Sequence, residues 1–275
     1  MAFDELGRYG VWLPFNAFSP EQAREIEQLG YGALWLGSSP GGEDLAVVDD
    51  LLAATRTLTV GTSIVNIWKT PAAEVAEVFH RLEAAHPGRF LLGIGAGHPE
   101  ATAEYKTPYE ALVEYFDALD AAGVPKERRA LAALGPRVLK LARDRSLGAL
   151  PYLVPVEHTA SARAILGDET LLAVEHKVVI DEDPVRARVT AQPRTSFYLG
   201  LQNYVSNLRR FGLTEEDLAQ PGGDRFYDAV VAHGSAEAVA EKLGAHLRAG
   251  ANHVAIQPLA DDPLPTLRTL APLLK

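Results

Sequence analysis

The chain has 275 residues, 47% hydrophobic and 23% charged, which is enough for one large domain with a substantial core. Its formal net charge of −10, from 26 basic and 36 acidic residues, argues against a generic nucleic-acid binder, which needs a basic face. Cysteine is absent, which excludes disulfides and thiolate chemistry, and no run reaches the ~18 apolar residues of a membrane span.

The opening Met1-Ala2-Phe3-Asp4-Glu5 lacks the basic start and apolar run of a secretory leader, so a cytoplasmic location is expected. Eight short apolar runs then read as strands, near 9–13, 33–37, 58–65, 90–95, 130–134, 149–154, 173–180 and 252–258. Tyr9-Gly10-Val11-Trp12-Leu13 is the first. Ser19-Pro20-Glu21-Gln22 follows, with Ser as N-cap, Pro at the first helical position and Gln placed to close a capping box. Ala23, Ile26 and Leu29 form the buried stripe, Gly30 and Gly32 stop the helix, and Ala33-Leu34-Trp35-Leu36 is the second strand. Leu45, Val48, Leu51 and Leu52 line the next helix, ahead of a strand from Leu58 to Val65. Thr70-Pro71 opens a third helix, with Phe90-Leu91-Leu92-Gly93-Ile94 as the strand after it. Leu131 to Leu134, Gly148 to Val154 and Leu172 to Ile180 are the fifth to seventh strands.

The alternation then breaks. From about Pro184 to Gly250 only helical patterns precede the last strand, Asn252 to Gln257. Strand–helix alternation of this length predicts parallel βαβ units closed into an α/β (β/α)8 TIM barrel, a single domain over residues 1–275. The long stretch between strands 7 and 8 is a helical excursion packed over the barrel.

Barrel chemistry gathers where the strands end. Those ends read Pro14-Phe15-Asn16, Gly37-Ser38-Ser39, Ser63 to Trp68, Gly95 to His98, Leu134-Gly135, Leu150-Pro151 and Gln257. The set is poor in acids and bases and rich in glycine, alanine, aromatics and small hydroxyls. It suits a flat ring cofactor that brings its own chemistry better than a hydrolase or aldolase. In Gly93-Ile94-Gly95-Ala96-Gly97-His98 the third glycine is one residue early for a dinucleotide-binding fingerprint. Gly95, Ala96 and Gly97 read instead as backbone closely approaching a ring, with a tight strand exit as the plain alternative. His98 is the one histidine at a strand end and the candidate for a proton-handling role. The others make no metal-ligand spacing, so no metal is expected.

Ala133-Leu134-Gly135-Pro136 runs from a strand into a helix start, whose free N–H groups favour phosphate; Gly148-Ala149 offers a second backbone approach. Between 126 and 145, Lys126, Arg128, Arg129, Arg137, Lys140, Arg143 and Arg145 stand against only Glu127 and Asp144. Such a patch on an acidic protein suggests an anionic ligand near Arg137, and equally fits a solvated helix face. Asn66 beside Trp68 suits ring recognition or a structural amide. Tyr204, with Gln202, Asn203 and Asn207, sits in the excursion, placed either to close over a substrate or to pack.

The chain resembles the luciferase-like monooxygenases, and within them the oxidoreductases that depend on the deazaflavin coenzyme F-420. The resemblance is carried by Tyr9-Gly10-Val11-Trp12, Leu29 to Trp35, Thr62-Ser63-Ile64, Gly88 to Gly95, Leu131 to Pro136 and Ala249 to Val254. It implies a ring at the strand ends, a non-proline cis peptide at Ser63-Ile64 or one bond either side, and a phosphate near Ala133 to Gly135 and Gly148-Ala149. Many deazaflavin-dependent relatives carry a histidine where this chain reads Ser38-Ser39, which leaves the proton donor open. The expectation is a cytoplasmic homodimer that moves a hydride between F-420 and a small organic substrate. An FMN-dependent monooxygenase, a non-catalytic flavin-binding protein and a metal-free barrel lyase are the alternatives.

Overall fold

The computed structural model describes residues 6–97 and 107–274. Its strands are β1 (Tyr9–Pro14), β2 (Ala33–Gly37), β3 (Thr59–Thr62), β4 (Val65–Asn66), β5 (Phe90–Gly95), β6 (Arg129–Leu131), β7 (Gly148–Ala149), β8 (Leu171–Ile180), β9 (Val231–Gly234) and β10 (His253–Pro258). All pair in parallel in the order β10-β1-β2-β3-β5-β6-β7-β8-β9, and β10 also pairs with β8, so the sheet closes on itself. β3 and β4 are two halves of one barrel stave, which leaves a closed barrel of eight parallel strands with helices outside it.

Those helices are α1 (Pro20–Gln28), α2 (Ala46–Ala54), α3 (Ala72–Ala85), α4 (Pro108–Ala121), α5 (Pro136–Arg145) and α6 (Val156–Leu166). The excursion carries α7 (Pro184–Thr195), α8 (Gln202–Arg210), α9 (Glu215–Leu218) and α10 (Asp224–Val230). After it come α11 (Ala236–Arg248) and α12 (Leu264–Leu270). No helix among the described residues is long and apolar enough to cross a membrane. The capping box read at Ser19 and Gln22 is present at the start of α1.

Four details differ from the sequence reading. The third strand breaks at Ser63–Ile64, whose peptide bond is cis, as the resemblance implied. The fifth stops at Leu131 rather than Leu134, because the chain turns there to seat Gly135 as the N-cap of α5. The sixth is only Gly148–Ala149: Pro151 has no N–H for a ladder bond, and Leu153 takes a left-handed conformation with φ of 55°. The excursion is not purely helical, since α10 passes without a gap into β9, hiding the strand inside one apolar run.

Strand alternation sorts the side chains into two layers. Leu34, Leu36, Val60, Phe90, Leu92 and Ile94 face outward and pack against the helices, forming the main core. Trp12, Trp35, Leu91, Ala130, Leu150, Ala173 and Ala255 fill the barrel interior. Room for Trp35 comes from Gly61 opposite, where a Cβ would lie 2.7 Å from its ring.

Three histidines are folded in their neutral form. His253 Nε2 accepts from Trp35 Nε1 at 2.9 Å while its Nδ1 lies 2.8 Å from the Gly7 carbonyl. His246 lies between Thr159 Oγ1 (2.8 Å) and His176 Nδ1 (3.0 Å). Burial pushes His253 down to about 4 and His246 down to about 3, and lowers His176 strongly. The unfolded chain binds these protons near pH 6.5 and the folded chain only well below it, so acid favours unfolding. Stability is therefore full above pH 6.5 and falls by about 1.4 kcal/mol per pH unit per histidine between 6.5 and about 4. Denaturant titrations over that window should show the loss, and His253→Gln should remove one histidine's share of it. A profile level from pH 7 to 4.5 would refute the assignment.

Candidate active site at the barrel mouth

A cavity of about 520 Å³ opens at the C-terminal ends of the strands, beneath the excursion. That volume falls within the ~300–1,000 Å³ usual for small-molecule sites. One wall is built from small groups: Ser38 and Ser39 after β2, Ser63 and Ile64 at the cis bond, Ala96 and Gly97 after β5, and Ala132 to Gly135 after β6. Its loops are held from within. Asn66 Oδ1 accepts from the Trp68 N–H at 2.9 Å, and Trp68 Nε1 donates to the Ala96 carbonyl at 2.7 Å. Gly97 has φ of 60°, and a Cβ there would sit 2.6 Å from Asn66 Nδ2, so this approach needs glycine. Ser38 and Ser39 also take left-handed conformations, with φ of 63° and 54°.

The facing wall is aromatic. Trp12 from β1, Tyr109 and Leu112 from α4, Tyr152 after β7, and Tyr198 and Tyr204 from the excursion are part of it, and Lys69 also lines the cavity. Tyr152 packs against Trp12, Tyr198 and Tyr204 with ring centroids 5.4, 5.3 and 6.3 Å away. Their hydroxyls form a directed chain: Tyr198 donates to Tyr152 at 3.0 Å, and Tyr152 donates to Gln257 Oε1 at 3.1 Å.

Behind this wall lies a pair that the sequence reading passed over. Glu175 and Lys177 point into the barrel from β8, 4% and 0% exposed, joined Nζ to Oε1 at 3.0 Å. Lys177 Nζ sits 3.9 Å from the centre of the Tyr152 ring, and Glu175 Oε2 accepts from the Leu153 N–H at 3.1 Å. Burial raises the Glu175 carboxyl and lowers the Lys177 ammonium, each opposed by the charge of the other. The strand ends themselves are poor in acids and bases, but the interior just below them is not. Glu-x-Lys inside a strand that is otherwise apolar but for His176 was the available signal, because the period of two puts both on one face.

Of the candidate residues, Ser38, Ser39, Ser63, Ile64, Asn66, Ala96, Gly97, Ala133, Leu134 and Gly135 meet at this cavity. Gly95 lies behind it, where a Cβ would meet Ala132 and Ile64 at about 3.0 Å. Gly148 and Ala149 do not reach it: both are buried in β7, and a Cβ on Gly148 would lie 1.9 Å from the Leu171 carbonyl oxygen. Their smallness serves strand packing, not ligand approach. Arg137 is exposed beside the cavity, its guanidinium 3.8 Å from the centre of the Tyr109 ring. His98 lies outside the described residues.

The basic run also reads differently in three dimensions. Arg128 pairs with Glu83, Arg129 with Asp120, Arg143 with Asp144, and Arg145 with Asp117 and Asp120. These four are tied to acids, partly from α3 and α4, so the excess counted along the chain is largely neutralised in space. Arg137 and Lys140 remain exposed on α5.

The luciferase-like monooxygenase profile matches residues 17–253. N-acetyl-S-alkylcysteine monooxygenase of Bacillus subtilis (strain 168) is 29% identical over 104 residues, which is 34% of this chain and 31% of that protein. The match therefore spans less than a third of the relative's length. Among solved structures, an F420-dependent secondary alcohol dehydrogenase in complex with an F420-acetone adduct superposes with a TM-score of 0.76 at 14% identity, covering 98% of this chain and 99% of that one. The coenzyme F420-dependent tetrahydromethanopterin reductase of Methanopyrus kandleri gives 0.71 at 15%, with coverages of 98% and 99%. The FMN-bound oxygenating constituent of 3,6-diketocamphane monooxygenase from Pseudomonas putida gives 0.69 at 14%, with 98% and 97%. At these identities the superpositions establish a shared fold.

Proposed function

We propose, from the premise that this chain belongs to the luciferase-like monooxygenase family, that it is an oxidoreductase whose barrel mouth holds a deazaflavin ring against a small organic substrate. The observation that carries this is the lining: mostly small residues from the strand ends together with Trp12, Tyr109, Tyr152, Tyr198 and Tyr204, around a volume suited to a ring and its partner. The residues present fit such a group. Trp12 Nε1, 94% shielded on the cavity wall, has no hydrogen-bond partner among the described residues and is available to a ligand. When bound, the deazaflavin supplies or accepts the hydride. The Ser63–Ile64 and Ala96–Gly97 backbones would flank the ring, and Ala133 to Gly135 would meet its phosphate. With both of its protons directed inward, the Tyr198–Tyr152–Gln257 chain would present the Tyr198 oxygen as an acceptor to a substrate hydroxyl, while the excursion keeps bulk water out. The excursion belongs to the same domain in this reading, because its core cluster includes Leu153, Val179 and Leu259 from the barrel.

FMN-dependent monooxygenation is the second reading. Ser38-Ser39 favours it, standing where many deazaflavin-dependent relatives have histidine. Charge separates the two, since the deazaflavin coenzyme ends in a polyanionic tail and FMN in its phosphate. Arg137 and Lys140 are exposed on α5, where they would meet such a tail. The deazaflavin should therefore bind more tightly than FMN, with its advantage shrinking at high salt as the ~8–10 Å Debye length contracts. Charge reversal at both positions should weaken the deazaflavin much more than FMN. Fluorescence titration of the two cofactors at low and high salt tests this. Tighter FMN binding, or equal losses on reversal, would establish the FMN reading instead.

A further inference from the structure

Among the described residues, the cavity wall carries one charged side chain, Lys69. No carboxylate lines the cavity beside it, and Lys69 makes no ion pair among the described residues. The charges just below the wall balance each other, because Glu175 and Lys177 are joined at 3.0 Å. Arg137 stacks on Tyr109 at 3.8 Å without itself lining the cavity. Lys69 is thus the unbalanced charge of the mouth. The lining holds a second unused donor, Trp12 Nε1, which is buried and has no partner among the described residues. An ammonium and an indole can only donate, so both call for an acceptor on the ligand.

The turn that carries Lys69 is fixed from several sides. The N–H groups of Lys69 and Thr70 both donate to the Asn66 carbonyl, at 3.0 and 3.1 Å. Trp68 is held through its own N–H by Asn66 Oδ1 and through Nε1 by the Ala96 carbonyl. The Thr70 carbonyl accepts from the Tyr115 hydroxyl at 2.9 Å. The exposed lysine stem therefore swings from a rigid base. That base belongs to the same loop as the Ser63–Ile64 bond. Ala133 to Gly135 follow β6 instead, and β5 lies between β4 and β6 in the sheet. Lys69 and the phosphate turn thus occupy different parts of the rim, and the lysine is left over once a cofactor phosphate is placed.

We infer that Lys69 determines substrate class: the molecule taken up beside the ring is an organic acid, whose carboxylate Lys69 holds. A ligand that fills the mouth strips water from the ammonium. A neutral ligand leaves that charge without a counterion, and a cationic one adds repulsion. A carboxylate replaces the lost hydration with a charge-assisted hydrogen bond. The net charge of −10 repels anions at long range, so their capture needs a local cation such as this one. The inference rests on the oxidoreductase reading above and adds the chemical class of its substrate.

Benzoate and benzamide test this, since they share a ring and differ in charge. Calorimetric titration of the cofactor-loaded protein should give benzoate a Kd ~5–20-fold lower, between the yield of an exposed ion pair and that of a charge-assisted hydrogen bond. Lys69→Met should erase the gap, and Lys69→Glu should shift the preference to benzylammonium, the cationic counterpart. Both variants should keep the native melting temperature, because Lys69 is exposed, and should hold the cofactor within about twofold of the native Kd. Equal affinity for benzoate and benzamide, absence of benzoate binding, or a gap that survives Lys69→Met would overturn the inference and leave the cofactor reading intact. A large loss of cofactor affinity in Lys69→Met would also overturn it, by giving the lysine to the cofactor. A Lys69-dependent benzoate preference in a protein that binds neither F-420 nor FMN would uphold the anion-selective mouth and overturn the cofactor reading.

Discussion

Lys177→Met should cost the protein about 3–5 kcal/mol of stability, read as a lower denaturant midpoint at unchanged slope. Lys177 is fully enclosed, with its ammonium 3.0 Å from Glu175 and 3.9 Å from the centre of the Tyr152 ring. Removing it leaves a carboxylate in a place where burial already raises its pKa and only the lysine and the Leu153 N–H support the charged form. Glu175 in the variant must take up a proton or unfold the floor of the cavity. The Glu175→Gln/Lys177→Met double variant removes both charges and should recover most of the loss, because a neutral pair has no orphaned ion. If the single and double variants are equally unstable, the cost is packing volume and the ion pair contributes nothing.

Gly148→Ala is the second large effect, expected to cost at least ~3 kcal/mol, at or above the upper end of overpacking. The added methyl would sit 1.9 Å from the Leu171 carbonyl oxygen, a backbone atom in the β7–β8 ladder that has no rotamer by which to yield. Gly135→Ala provides the contrast. There the nearest atom is the Arg210 guanidinium nitrogen at 3.4 Å, on a side chain that can swing aside, so folding should be nearly unchanged. Soluble yield and thermal melts of the two variants decide the matter. A stable Gly148→Ala protein with weakened cofactor binding would restore Gly148 to the cavity.

Seven of the eight barrel strands were legible within a few residues, because parallel strands are covered on both faces and read as apolar runs. The glycine- and alanine-rich wall was legible too: it follows directly from where those runs end. The stave at 148–149 was overextended since Leu150 and Val154 are apolar for other reasons, Leu150 filling the barrel interior and Val154 joining the main core after the chain has left the sheet. β9 escaped because a helix and a strand abut with no punctuating Gly or Pro. The aromatic wall was beyond periodicity. Tyr152, Tyr198 and Tyr204 come from a loop and from the excursion, and only tertiary packing brings their hydroxyls together. The basic run misled for a similar reason, since Glu83, Asp117 and Asp120, which neutralise much of it, lie earlier in the chain.

Barrel closure joins the two ends of the sequence: Tyr9 pairs with Val254 and Val11 with Ile256. During synthesis β1 precedes every other stave, and its second neighbour emerges only after the other seven. At ~5–20 residues per second the wait lasts on the order of ten seconds or more, with one side of β1 offering open backbone groups to any passing strand. Gly10 and Trp12 belong to that early strand, and the partners that enclose them from the far side, His253 and Ala255 among them, are the last barrel residues to arrive. The nascent chain thus carries an unsealed seam that its own C-terminal region must close, and that seam is where holdase chaperones would have most to protect.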